Sequence, residues 1–170
     1  PRTRAGGAQV EIEIGRGKKG RRAYGFDDIA IVPSRRTRDP EDVDLTWTIG
    51  EHEFSIPILA SAMDGVVDVT TAVALGKLGG LGVLNLEGIQ VRYDDPAAEL
   101  ERIAGYDKAA ATQGLQEIYQ TPPRQDLIAR RIREIKDAGV VACGSFTPQK
   151  VREHIDVALE AGLDILVIQG

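Results

Sequence analysis

Short apolar runs alternate with amphipathic helical stretches along most of the chain, most clearly in residues 56–85, IPILASAMDGVVDVTTAVALGKLGGLGVLN. Residues 56–60 are apolar on both faces, which is typical of a strand buried from both sides in a parallel sheet. Asp68 is placed to cap a helix, and the glycines at 79–80 are placed to end it. Residues 81–84 then form the next apolar run. The pattern predicts one right-handed strand–helix–strand unit.

The second part of the chain continues this alternation with further helices and two more apolar strands. An acidic or threonine cap followed by proline is a strong helix-start signal, because proline fits the first helical turn. Four helices are predicted. The first begins at Asp94-Asp95-Pro96, the second covers about 108–119, the third covers about 124–138 and the fourth begins at Thr147-Pro148. The predicted strands are 140–143 and 164–168.

Two of these helices have a hydrophobic periodicity that predicts which side chains are buried. In 124–138, isoleucines recur at helical spacing, and the charged face that includes Arg131 is predicted to lie in solvent. In the helix after Thr147-Pro148, His154 is predicted to be an exposed structural residue. The predicted buried positions of that helix are Val151, Ile155, Ala158 and Leu159.

Strand–helix alternation with glycine-ended helices is typical of a parallel α/β fold. No G-x-G-x-x-G motif opens a helix, and the glycines at 79–82 lead into a strand, where they serve close packing. This order favours a TIM-type (β/α)8 barrel over an open dinucleotide-binding sheet. A complete barrel has about 250 residues, and at most four strand–helix candidates are present. We therefore expect 15–170 to be the N-terminal half of one barrel domain.

The residues before 56 differ in pattern from the rest. Residues 1–14 are interpreted as a tail or tag remnant, since their first nine residues lack apolar periodicity. The stretch 24–33 predicts a turn into a short strand closed by proline, and 29–55 is predicted to form a small antiparallel element at the bottom of the barrel. The basic segment 15–38 is either a phosphate- or partner-binding site or an arm that lies in solvent or faces another subunit.

Composition narrows the function classes. The chain has 170 residues, 42% of them hydrophobic and 28% charged, with a net charge of −5. These values are ordinary for a soluble globular protein and give no indication of nucleic acid as the main partner. No apolar run reaches the ~18 residues that span a bilayer, and the first residues contain no apolar h-region. We therefore expect a cytoplasmic protein with no secretory signal and no membrane partner. One cysteine forms no internal disulfide, and no Cys/His spacing indicates a metal site.

Polar or small residues stand where the predicted strands end, which is where TIM barrels carry their chemistry. These positions are 61–64, Asn85, 144–145 and 169–170, and they are predicted to share one mouth. Two other side chains of reactive types are interpreted as structural. Cys143 lies inside an apolar run and is predicted to be buried and unreactive, and His52 lies between two glutamates on a predicted turn and is expected to be exposed.

ASAMDGVVD followed by GGLGVLN resembles the first barrel repeat of the IMP dehydrogenase and GMP reductase family, in which SSPMD precedes a helix and a GGxG motif. The upstream YGFDDIAIVP resembles the lead-in of the same family. The resemblance covers about 20–90 and, more loosely, 135–170. Residues 86–121 are too few for the two regulatory CBS modules that many IMP dehydrogenases insert there, which implies the short branch of the family.

The resemblance implies roles for residues at the strand ends. The serine and methionine of the family motif contact the purine nucleotide, so it implies nucleotide-binding roles for Ser61 and Met63, although Met63 as core filler is an alternative. Asn85 stands where members often carry a histidine near the nicotinamide. Gln169 stands where members generally carry an aspartate that bonds a cofactor ribose, and Gly170 follows it; both are implied to bind cofactor. The nucleophilic cysteine, and any potassium site, would lie beyond this segment.

The activity that the resemblance implies is hydride transfer between NAD or NADPH and C2 of IMP, XMP or GMP, through a thioimidate on cysteine, in a homotetramer or larger homo-oligomer. Residues 1–170 do not separate the dehydrogenase direction from the reductase direction, or NAD from NADPH. A non-catalytic nucleotide-binding or regulatory protein derived from the barrel stays open as the second hypothesis. A Gly-rich loop with Cys-Thr after the sixth strand would distinguish the two.

Overall fold

A four-stranded parallel sheet organises the computed structural model, which describes residues 11–13, 15–21, 23–32 and 39–169. The chain divides into two compact units, 1–43 and 44–170, and the sheet lies in the second. The first unit contains an antiparallel pair, β1 (Glu11–Glu13) with β2 (Lys19–Arg21), and 3-10 turns at Phe26–Asp28 and Pro40–Asp42.

The predicted strand after the turn at 24–26 is wrong over residues 29–32, which are in no strand. The Asp28 carboxylate instead accepts a hydrogen bond of 2.9 Å from the Gly25 amide, which closes the 3-10 turn. Residues 1–10, 14, 22 and 33–38 lie outside the described residues. They include most of the predicted tail and half of the basic side chains of segment 15–38.

The second unit begins with an antiparallel hairpin, as the alternation at 43–49 predicts, although its strands are short. β3 (Trp47–Ile49) pairs with β4 (His52–Phe54), so His52 lies in a strand and not on the predicted turn. The Trp47 and Phe54 rings stack with their centroids 4.7 Å apart. The Trp47 indole N–H donates to the Ile56 carbonyl at 2.7 Å, which fastens the hairpin to the chain that enters the sheet.

The sheet and its helices follow the strand–helix order predicted for 56–170, which confirms the α/β class. The strands are β5 (Leu59–Ala60), β6 (Leu81–Asn85), β7 (Cys143–Phe146) and β8 (Ile165–Ile168), in the order β5-β6-β7-β8 with every neighbouring pair parallel. The helices are α1 (Val69–Lys77), α2 (Pro96–Ala104), α3 (Lys108–Gln120), α4 (Gln125–Asp137) and α5 (Val151–Glu160), with a 3-10 turn at Ile89–Val91.

Local signals explain where most of these helices begin and end. The Asp68 carboxylate accepts from the Thr71 amide at 2.6 Å at the start of α1, and that of Asp95 accepts from the Ala98 amide at 3.1 Å at the start of α2. Gly79 follows α1 with φ of +88°, a conformation that only glycine adopts without strain. These helix boundaries confirm the predictions from caps and glycines.

Successive residues of the strands point alternately into two apolar layers, as the period of two requires. We call the layer that contains Leu84 and Phe146 and the buried faces of α1, α4 and α5 the helix layer. We call the layer that contains Leu81, Val83 and Cys143 and the hairpin residue Phe54 the hairpin layer. Two core layers, one on each face of the sheet, explain why these strands read as continuously apolar.

The third strand of the sheet is displaced from its predicted position, since β7 covers 143–146 and not 140–143. Gly144 and Ser145 are predicted to follow the end of the strand because they are small or polar, but both lie inside β7. A Cβ at Gly144 would lie 2.4 Å from Leu86 Cδ1, so the close contact requires glycine. The Thr147 carbonyl accepts from the amides of Lys150 and Val151, and this turn delays the start of α5 to Val151.

His154 was predicted to be exposed, and this is wrong: it is 3% exposed and its ring stacks on Phe146 at 5.8 Å between centroids. Both ring nitrogens are buried without a hydrogen-bond partner. Leu159, predicted to be buried, is 58% exposed. The buried face of α5 is centred on His154 and Ala158, four residues apart, because α5 lies over Phe146.

Arg131 was assigned to the solvent-facing side of its helix and is in fact buried. Its Nε donates to the Gln90 carbonyl at 3.0 Å, and its Nη2 donates to the Asp94 carbonyl at 3.0 Å. Its Nη1 pairs with the Glu134 carboxylate at 3.0 Å. The guanidinium therefore joins α4 to the segment after β6, and these bonds compensate its burial.

Candidate functional site

A cavity of about 450 Å³ lies at the C-terminal ends of the parallel strands. This is the edge where parallel α/β folds of the barrel type place their chemistry. Residues at or just beyond the ends of all four strands line it, together with two residues from the segment between β6 and α4. The lining residues are Ala62, Asn85, Glu87, Arg92, Tyr119, Ser145, Phe146, Thr147 and Gln169.

Strand register brings Asn85, Ser145 and Gln169 together. Asn85 is registered with Ser145 across β6 and β7, and Ser145 with Val167 across β7 and β8. Gln169 follows Val167 by two positions and so continues on the same face of the sheet. The backbone amide of Gln169 donates to the Phe146 carbonyl at 2.9 Å, and this bond holds the end of β8 against β7.

Only some of the residues predicted for the site line the cavity. Asn85 and Gln169 line the cavity, whereas Ser61 and Met63 flank the lining residue Ala62 without lining the cavity themselves. Gly170 lies outside the described residues. Met63 is 54% exposed, so its interpretation as core filler is wrong.

Asp64 fastens the loop that carries Ser61 and Met63. Its Oδ2 accepts from the Ile89 amide at 2.8 Å and from the Tyr119 hydroxyl. A Cβ at Gly88 would lie 1.8 Å from Asp64 Oδ1, so glycine is needed there for the carboxylate to reach the turn. Burial and the hydrogen bond to Asp64 raise the pKa of Tyr119 well above its ordinary value, so the phenol is the proton donor of this pair.

Arg92 holds the end of α3 at the cavity. Its Nε donates to the Glu87 carbonyl at 2.8 Å, and its Nη1 donates to the carbonyls of Tyr119, at 3.0 Å, and of Thr121. Its guanidinium carbon lies 5.1 Å from the centroid of the Tyr119 ring, a distance at which a cation is attracted to an aromatic face.

Glu87 links the ends of β6 and β7. Its Oε1 accepts from the Thr147 amide at 2.5 Å and from the Thr147 hydroxyl at 2.9 Å. Residue Thr147, predicted to cap a helix, thus binds a carboxylate of the neighbouring strand end. The Asn85 side-chain oxygen accepts from the Glu87 amide at 3.0 Å and shapes the same turn.

Four residues of the cavity lining are not predicted from the sequence: Glu87, Arg92, Tyr119 and Thr147. Ser145 is predicted at a strand end, whereas it lies within β7. A signal existed for Glu87 and Thr147, since each lies within two residues of a strand end. Tyr119 has no such signal, because it is brought to the cavity from the last turn of α3.

Cys143 lies in the hairpin layer, as its apolar surroundings predict. Burial, with a smaller contribution from the charge of Asp164, raises the pKa of its thiol to about 12. Since only the thiolate is strongly nucleophilic, this cysteine is not suited to covalent chemistry. Within the described part of the chain, no group of three or more His, Cys, Asp and Glu side chains is arranged to hold a metal ion, and no helix is long and apolar enough to cross a membrane.

Comparison with known proteins gives consistent matches. The family model of the IMP dehydrogenase / GMP reductase domain matches residues 23–170. An uncharacterized oxidoreductase of Mycobacterium tuberculosis is 39% identical over 164 residues, which are 94% of this chain and 44% of the relative. An inosine-5'-monophosphate dehydrogenase of Methanocaldococcus jannaschii is 40% identical over 65 residues, 38% of this chain and 13% of that protein.

One solved structure is similar over nearly the whole chain. An IMP dehydrogenase/GMP reductase-like protein of Corynebacterium glutamicum superposes with a TM-score of 0.80 at 39% identity, covering 94% of this chain and 44% of that one. The chain therefore spans somewhat less than half the length of these two relatives, which match 94% of its own residues.

Proposed function

This chain belongs to the IMP dehydrogenase/GMP reductase family, and we propose that it is the N-terminal half of a TIM barrel that transfers hydride between a nicotinamide cofactor and a purine nucleotide. The proposed substrates are IMP, XMP or GMP, and the proposed cofactors are NAD or NADPH. Assembly as a homotetramer or larger homo-oligomer, a potassium site elsewhere in the protein and a cytoplasmic location remain expectations from the family.

The observation that carries the proposal is the cavity at the C-terminal edge of the sheet. Its volume of about 450 Å³ lies within the ~300–1,000 Å³ of small-molecule sites. Asn85, Ser145, Thr147 and Gln169 supply amide and hydroxyl groups on its wall, which suit the hydroxyls and carbonyl groups of a nucleotide or nicotinamide cofactor. A bound nicotinamide would accept or donate the hydride, so this chain's residues are needed only to bind and orient.

We propose that the binding roles are divided between the strand ends and the loop after β5. Asn85 and Gln169 hold the cofactor from the face of the sheet that carries the hairpin layer, and Ser61 and Met63 contact the nucleotide from the loop beside the cavity. Covalent catalysis is assigned to a cysteine beyond this segment, since the pKa of Cys143 is too high for that role.

The test uses the full-length protein. Absorbance at 340 nm is followed with IMP and NAD, and with GMP or XMP and NADPH. The variant Gln169→Ala is compared with Gln113→Ala, which removes an exposed amide outside the cavity lining. We expect only Gln169→Ala to raise the KM for the cofactor.

Two outcomes would contradict the proposal. Nucleotide binding without turnover under any of these conditions would favour the regulatory, non-catalytic alternative. Neither binding nor turnover with any of the nucleotides would remove purine nucleotides as the ligand class.

A further inference from the structure

Charge is distributed unevenly among the residues that line the cavity. The lining contains one basic side chain, that of Arg92, and one acidic side chain, that of Glu87. The Glu87 carboxylate is occupied, because Thr147 donates both its amide and its hydroxyl to it. Arg92 forms no ion pair with a carboxylate anywhere in the described ranges and donates only to carbonyl oxygens. The cavity wall therefore has a negative charge that is occupied by hydrogen bonds and a positive charge that has no ion pair among the described residues.

The guanidinium of Arg92 has donors to spare. Three of its five N–H groups, one on Nε and two on Nη1, account for the bonds to Glu87, Tyr119 and Thr121. Both N–H groups of Nη2 have no acceptor among the residues that the structure describes. The face of the Tyr119 ring lies under the same guanidinium, and stacking of this kind leaves the edge of the group open to a ligand.

A purely structural role would be to cap the C-terminal end of α3, where the accepting carbonyls of Tyr119 and Thr121 lie. Such a helix end has a partial charge of only about −0.5, so it offsets no more than part of the cation. A structural cap also does not require that the residue line a cavity with neutral polar groups around it. Gln169 is consistent with a ligand role for Arg92, because its neutral amide brings no carboxylate into the same space.

We propose that Arg92 is the anion-binding residue of the cavity and receives a phosphoryl group of the bound ligand through Nη2. The identity of that ligand rests on the proposed function, and three phosphoryl groups have the right chemistry: the cofactor's pyrophosphate, the ribose 2'-phosphate of NADPH, and the 5'-phosphate of the purine nucleotide. Arginine suits all three, since its planar donors match phosphate oxygens.

Two substitutions in the full-length protein test this with effects of opposite sign. Arg92→Gln removes the cation and is expected to weaken binding of inorganic pyrophosphate about 10-fold or more, the usual effect of losing a hydrogen bond to a charged group. Glu87→Gln removes the neighbouring anion, keeps the backbone carbonyl that Arg92 Nε uses and is nearly isosteric. It is expected to tighten pyrophosphate binding about 2- to 5-fold through the lost repulsion.

Calorimetric titration with pyrophosphate is the primary measurement, and KM values identify the source of the phosphoryl group. If Arg92→Gln raises KM for NADPH but not NADH, the group is the 2'-phosphate. If it raises both, the group is the pyrophosphate, and if it raises only the KM of the nucleotide, the group is the 5'-phosphate.

Loss of binding in both variants would mean a shared structural defect and would overturn the proposal, as would pyrophosphate binding that is unchanged in Arg92→Gln or absent from the unsubstituted protein. The proposed function fails separately. Arg92-dependent pyrophosphate binding without oxidoreductase turnover keeps the anion site and removes the activity, whereas turnover that Arg92→Gln leaves unaffected keeps the activity and removes the site.

Discussion

Replacing Asp64 with alanine tests whether one carboxylate holds the loop of 61–65 in place. The change removes two acceptor contacts, to the Ile89 amide at 2.8 Å and to the Tyr119 hydroxyl. Ile89 is fully buried, so its amide would be left without an acceptor, at a cost of about 1–3 kcal/mol. Tyr119 is 42% exposed, so its hydroxyl can bond to water instead. Losing the hydrogen bond between Tyr119 and Asp64 therefore adds about 0.5–1 kcal/mol.

One contribution acts in the opposite direction. Asp64 Oδ1 is buried with no hydrogen-bond partner, and its removal recovers part of the free energy spent in desolvating it. We therefore expect Asp64→Ala to lower the free energy of unfolding by about 1.5–3 kcal/mol. If Met63 contacts the nucleotide as proposed, the KM for the nucleotide should rise as well, because the loop loses its anchor to the turn at 88–91.

Urea denaturation of the full-length protein, followed by far-ultraviolet circular dichroism, measures the first effect, and steady-state kinetics measure the second. Asp64→Asn is the matched control, since its remaining oxygen still accepts from Ile89 and Tyr119; it should lie within about 1 kcal/mol of the unsubstituted protein. Equal stabilities for the alanine and asparagine variants would refute the assignment of Asp64 as the anchor.

Four further outcomes are expected. Gln169→Asp should lower the KM for NAD or NADPH, on the order of tenfold, because a carboxylate forms stronger hydrogen bonds to ribose hydroxyls than a neutral amide does; if neither KM falls, Gln169 does not contact the cofactor ribose. Ser61→Ala should weaken nucleotide binding by about 0.5–1.5 kcal/mol in calorimetry, and an unchanged affinity would remove Ser61 from the site. His154→Leu should leave the stability equal or raise it by about 1 kcal/mol, because both ring nitrogens are buried without a hydrogen-bond partner; a loss above about 2 kcal/mol in urea denaturation would mean that the ring makes a stabilising polar contact. Cys143 should resist alkylation by iodoacetamide at pH 8 in the native state, since burial raises its pKa to about 12 and leaves the thiol protonated there; peptide mass mapping that finds rapid modification would contradict its buried position.

Features encoded by neighbouring residues could be predicted from the sequence. Asp68 and Asp95 cap the helices that their positions indicated, and Gly79 ends α1 as expected, because capping depends on residues within one turn. Asn85 and Gln169 reach one cavity because both stand at strand ends, and the ends of parallel strands meet at one edge.

Features decided by distant partners could not be predicted. Arg131 has the spacing of a solvent-facing residue, but carbonyls of Gln90 and Asp94, about 40 positions away, bury it. His154 is buried because its ring stacks on Phe146, and the sequence around α5 does not predict that contact. Tyr119 reaches the cavity from α3, and the hydrophobic periodicity of that helix does not indicate which residues line a cavity.

The sequence separation across the sheet is uneven, and this has a consequence for how the protein folds. Leu59 pairs with Leu81 and Cys143 pairs with Ile165, each 22 positions apart, whereas Val83 pairs with Cys143 across 60 positions. Closing the longer loop costs about 0.9 kcal/mol more chain entropy, and pairings distant in sequence form slowly. We therefore expect the two outer strand pairs, β5 with β6 and β7 with β8, to form early in folding, each with its own helix. The β6–β7 contact, which assembles the cavity wall, is expected to form when these two strand pairs join, so the cavity is among the last parts of this sheet to acquire its native structure.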